Sequence, residues 1–119
     1  MTVEADLFAA LKTVATAVYA DAAPSGTAAP WVTYQHIGGR ALRHVDNSAS
    51  AIRHTMVQVN VWGTSRGQVT ALIRQIEDVL CAAGAFTARP MGEPIGDAEM
   101  DIKPPLYGAM QDFEIWSPR

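Results

Sequence analysis

One cysteine, Cys81, is all the thiol chemistry in 119 residues. No intrachain disulfide can form, and a reducing compartment is the natural setting. Lysine is nearly missing as well: seven arginines and two lysines face twelve carboxylates, for a net charge of −3. Without a polybasic stretch, a surface that grips nucleic acid through many phosphates is not expected. No apolar run approaches the ~18 residues of a membrane-spanning helix. The opening MTVEADLF has two acids and no basic region, so no signal peptide is expected there. Dinucleotide, phosphate-loop, nucleophile-elbow and zinc-protease signatures are all missing, which points away from an enzyme and from any cofactor.

The groups that remain do not assemble into a chemical motif. His36, His44 and His54 are not at metal-ligand spacing. His36 and His54 are expected as cross-strand neighbours flanking a hairpin. Glu93, Asp97, Glu99 and Asp101 are acidic but lack the alternating ligand spacing of a calcium loop, and read as a solvated acidic stretch. Cys81 falls near a helix C-terminus, where the dipole opposes a thiolate. It reads as a small, partly buried side chain.

What is present is a length and a 49% hydrophobic content that suit one domain, residues 1–119. Leu7, Leu11, Val14 and Val18 fall on one helical face, widened by Phe8 and Ala15, which predicts a helix over 3–20. AAPSGTAAP (22–30) breaks it, and WVTYQHI (31–37) has strand composition. Residues 38–50 have turn formers at both ends and predict a long hairpin loop or projecting arm. IRHTMVQVNVW (52–62) alternates as a strand. Residues 63–84 predict a helix with a Ser65/Gln68 capping box, a Val69–Leu72–Ile73–Ile76–Leu80 stripe and a left-handed cap at Gly84. Residues 86–95 have strand character, demoted to an edge by Pro90 and Pro94. Residues 96–105 read as an acidic loop, and LYGAMQDFEIW (106–116) as the last strand.

The order is α-β-β-α-β-β. It predicts an α+β fold in which two helices pack on one face of a four-stranded, mostly antiparallel sheet, as in a permuted ferredoxin-like arrangement. Val57, Val59, Val61, Phe113 and Ile115 would then face the helices. Met56, Gln58, Asn60, Trp62, Met110, Asp112, Glu114 and Trp116 would lie on the uncovered face. Two readings of that face stand side by side. Trp62 and Trp116 either finish their strands and pack against loops, or anchor a protein interface, where aromatics amid polar groups are common.

The ordered set of segments resembles the tail completion, or tail terminator, proteins of long-tailed bacteriophages and prophages. The resemblance covers nearly the whole chain. It rests on VEADLFAALKT, then PWVTYQHIGG, then RHTMVQVNVWGTSRGQVTALIRQIEDVL after a variable loop, and a closing DFEIW. It implies a structural, non-enzymatic role without cofactors. Similar proteins form rings, usually hexameric, on the finished tail tube, end its growth and offer a surface to the head connector or a head-completion protein. The partners implied are further copies of the chain, the tube protein and that connector, with DNA passing through the lumen. The location implied is the virion tail, after assembly in the bacterial cytoplasm. The acidic, proline-rich GDAEMDIKPP departs from the family pattern.

A ring contact is heterologous, joining two different patches. The residues expected at subunit or tail contacts are Arg40, Arg43 and Arg53 around the arm, with Gln58, Asn60, Trp62, Asp112, Glu114 and Trp116 on the uncovered face. The rival functions are another neck or head-closure component, and a ferredoxin-like ligand- or RNA-binding module. RNA binding requires basic neighbours around exposed aromatics, whereas Asp112 and Glu114 repel phosphate.

Overall fold

The computed structural model describes residues 2–119, so Met1 of the expected domain lies outside it. The elements are α1 (Val3–Lys12), β1 (Val18–Ala20), β2 (Trp31–Gly38), β3 (Ile52–Gly63), α2 (Arg66–Ala82), β4 (Thr87–Pro90), β5 (Ile95–Glu99) and β6 (Leu106–Pro118). The fold is α+β, but among the described residues the sheet has six strands rather than four, and it is mixed. Its path is β1-β2-β3-β6-β4, with β5 also on β6. β1 runs parallel to β2; every other pairing is antiparallel. β4 and β5 share the outer edge of β6, along its C-terminal and N-terminal halves respectively. The expected permuted ferredoxin-like sheet is corrected accordingly.

The two added strands have separate causes. The expected helix over 3–20 stops at Lys12. Thr13, Val14, Thr16, Val18 and Tyr19 are β-branched or aromatic, and such side chains favour strand over helix. The Thr13 hydroxyl donates to Ala10 O at 2.6 Å as the helix ends. Val18 is buried as its apolar character demands, but from a strand. Phe8, expected on the buried stripe, is exposed, with the Lys12 ammonium 5.8 Å from its ring centre. Strand β5 lies where an acidic loop was expected. All five of its residues are exposed, so main-chain pairing to β6 forms it and no apolar alternation announces it.

The core is the layer between the helices and one sheet face. Val3, Leu7 and Leu11 of α1 meet Val69, Leu72, Ile73, Ile76 and Leu80 of α2. Beneath them lie Val32, Val57, Val59, Val61, Phe113 and Ile115, all at most 1% exposed. Each such side chain is worth roughly 1.5–3 kcal/mol on burial. Ser65 Oγ accepts from the Gln68 amide at 3.1 Å, as expected for an N-cap. Gln68 Oε1 closes the turn onto Thr64 N at 2.9 Å, one residue before the expected box partner. The helix ends where Ala83 becomes extended (ψ 138°), so the left-handed cap expected at Gly84 is not used.

A candidate interface on the helix-free face

Register determines which side chains share the uncovered face. Trp31 stands opposite Trp62, and Trp62 opposite Gly108. The next rungs are Thr33–Asn60–Met110 and Gln35–Gln58–Asp112, followed by Met56–Glu114 and His54–Trp116. All three tryptophans of the chain therefore lie on the face without helices, each half-buried. Trp31 was not singled out from sequence, although the Trp31–Thr33–Gln35 alternation carries the signal.

The face is organised by hydrogen bonds. Gln58 Nε2 donates to Asp112 Oδ1 at 3.2 Å, and Asn60 Nδ2 donates to Gln58 Oε1 at 3.3 Å. Trp62 covers Gly108, where a side-chain carbon would stand 2.8 Å from the indole ring. This is the cross-strand use of an aromatic ring to fill the space over a glycine. At the other end of the face, Trp116 packs against His54 with ring centres 4.9 Å apart. His54 Nδ1 accepts from the Arg40 amide at 2.9 Å, and Nε2 lies 3.1 Å from Glu114 Oε1. The first bond puts the proton on Nε2, so Nε2 donates to Glu114. His54 is thus the joint between the arm and the Trp116 end of the face.

The arm spans residues 39–51. It is stiffened by a bridge between Arg43 and Ala49, and by His44 N donating to Ser48 O at 2.9 Å. Asn47 takes a left-handed turn (φ 71°) at its tip. Asp46 Oδ1 accepts from the Ser48 hydroxyl at 2.6 Å and from the Ser48 amide at 2.9 Å, which together hold the exposed Asp46 carboxyl below its usual range. Gly39 has φ 137°, and a side-chain carbon there would meet His54 O at 2.6 Å. Glycine is required for the arm to leave β2 over β3.

The expected site residues fall into three places. Arg40 and Arg43 are exposed on the arm. Gln58, Asn60, Trp62, Asp112, Glu114 and Trp116 form the helix-free face. Arg53 lies on the helix side, where its guanidinium donates to Glu4 Oε1 at 2.9 Å. His36 also approaches Glu4, at 3.3 Å. His36 and His54 are therefore on opposite faces of the sheet, not cross-strand neighbours. Desolvation opposes ionisation of Glu4, but its own backbone amide, Arg53 and His36 together hold its carboxyl below the ordinary value. A cleft of about 660 Å³ opens beside this cluster, between the arm, the start of α1 and the chain's C-terminal end.

Residues outside the expectation also fix the geometry. Arg66 donates to Gly108 O at 2.8 Å and to Asp97 O at 2.6 Å, tying β5 to β6. Gln111, buried on the core face, donates to Glu77 at 2.7 Å and to Gly92 O at 2.9 Å. Cys81 is exposed rather than partly buried. Desolvation, then Glu77 and Asp78, raise its thiol above the ordinary value, away from a nucleophile's range. Among the described residues no group of three or more His, Cys, Asp or Glu could hold a metal ion.

A helix-backed sheet with three tryptophans on its bare face, and an ordered arm beside it, has the make-up of a structural assembly domain. The chain belongs to the phage tail completion family: the family model described as Tail completion protein gp17 matches residues 5–117. Membership gives it a structural role in the virion tail, in contact with other tail and head proteins. A comparison with curated proteins returns no match.

Proposed function

We propose that this chain caps the finished tail tube as an oligomeric ring, ends tube growth and presents the surface to which the head connector or a head-completion protein docks. The role is non-enzymatic. The ring assembles in the host cytoplasm, and its lumen passes DNA without sequence-specific binding. The observation that carries this reading is the helix-free face. Three half-buried tryptophans lie amid a hydrogen-bonded ladder of Gln58, Asn60 and Asp112, an aromatic-polar mixture characteristic of contact surfaces. The arm with Arg40 and Arg43 is a second, separate patch, available to a neighbouring copy while the tryptophan face meets the tube or connector. Asp112 and Glu114 on the same face disfavour the RNA-binding alternative.

The test is reconstitution. The purified protein, added to tube protein polymerising from initiation complexes, stops elongation and is found at the growing end. Continued growth with no bound protein contradicts the reading.

A further inference from the structure

The arm and the acidic segment lie at opposite ends of the sheet. β3 leaves the arm at Ile52 and runs twelve residues to Gly63. β5 pairs with the part of β6 that lies beside the far end of β3: Glu99 stands opposite Leu106, whereas Ile52 stands opposite Pro118. At ~3.3 Å per residue the two ends are roughly 40 Å apart. The described residues measure 56 Å along their long axis.

The two ends carry opposite charge and matching apolar groups. Around the arm-base cleft are Arg40, Arg53 and Arg119, with Val3, Ile52 and Pro118 among its apolar lining. Only Arg53 of these arginines has an ion-pair partner among the described residues, namely Glu4. At the far end, Asp97, Glu99 and Asp101 are exposed and unpaired among the described residues, and Met100 and Ile102 are 62% and 44% exposed beside them. These carboxylates cannot reach the arm's arginines within one chain.

We propose that the arm-base cleft of one copy receives the acidic segment 97–102 of the next copy. Arg40 and Arg119 at the cleft, with Arg43 further out on the arm, meet Glu99 and Asp101, and Met100 and Ile102 cover the apolar lining. The contact joins unlike patches, so it propagates head to tail and closes into a ring when its rotation allows. It leaves the tryptophan face free for the tube or connector. This deepens the reading of the chain as a self-associating tail component, and rests on it.

Charge reversal tests the pairing. Arg40→Glu/Arg43→Glu reverses the arm, and Glu99→Lys/Asp101→Lys reverses the segment. All four side chains are exposed, the Arg40 bond to His54 uses main chain, and the Arg43 side chain makes only a long 3.4 Å bond to Asn47 O, so both variants are expected to fold. Light scattering and native mass spectrometry at low salt read the assembly. Each variant alone weakens self-association at least about tenfold, since like charges then face each other. The chain carrying both reversals regains assembly, and an equimolar mixture of the two variants forms alternating oligomers. Assembly unaffected by either reversal overturns the pairing, as does loss in both variants without rescue. A wild-type chain that stays monomeric also overturns it, while the tube-elongation test separately decides the capping role.

Discussion

Trp62 lies across its strand boundary on Gly108, so close that a side-chain carbon at position 108 would stand 2.8 Å from the ring. The indole is thereby held flat on the helix-free face instead of projecting from it, while remaining half-buried and available for contact. Gly108→Ala displaces the ring. The expected cost is about 1–3 kcal/mol of folding stability, measurable by urea denaturation, with a shift in tryptophan emission.

Trp62→Ala separates the two roles of that side chain. The core under the helices does not include Trp62. The variant is expected to keep its circular dichroism spectrum and cooperative unfolding, yet fail to incorporate into tails. A monomer unfolded by this substitution alone assigns the tryptophan to the core and refutes the interface role.

The His54 joint makes the arm separable from the body. Its ring accepts from the Arg40 amide and donates to Glu114. His54→Ala is expected to abolish hydrogen-exchange protection at the Arg40 amide while amides of β3 beyond Val57 stay protected. His54→Asn, with an acceptor oxygen near the position of Nδ1, restores the Arg40 bond but not the Glu114 bond. Equal protection in wild type and His54→Ala removes His54 from this role.

Acid stability has a local contributor in Glu4. Its folded-state value lies below the ordinary 4.5, so its contribution is present above 4.5 and is lost as pH falls through the lower folded value. Glu4→Gln removes that contribution. Its unfolding midpoint is expected to fall less steeply than that of wild type as pH drops below 4.5. Its stability deficit at neutral pH is expected to be small, because the pair with Arg53 is partly solvated.

Much of this architecture was legible because buried strands and helices write their periods into side chains. The valines of 57–61, with Phe113 and Ile115, announced both the core and, by parity, the tryptophan face. Three things were not legible. Val18 has the spacing of a helix stripe, and only the β-branched run around it explains why it enters from a strand. β5 buries none of its side chains, so it had no pattern to read. His54 is in phase with Trp62, but its bonds to Arg40 and Glu114 depend on how the arm folds back, which no local pattern specifies.

One buried pair of hydroxyls gives a stability prediction of opposite sign. Thr55 Oγ1 and Ser117 Oγ are buried without hydrogen-bond partners among the described residues. Thr55→Val replaces the orphaned hydroxyl with a methyl of similar shape. It is expected to be neutral or to stabilise by up to about 1 kcal/mol in chemical denaturation.

The most direct measurement of the central claim is electron microscopy of lysates from the phage or prophage carrying this gene, with the gene deleted. The expected result is overlong, irregular tails without heads, restored to normal length by the wild-type gene supplied in trans. Tails of normal length that fail to join heads would contradict termination and move the protein to a joining step in the neck. Normal infectious particles would contradict an essential role in tail completion.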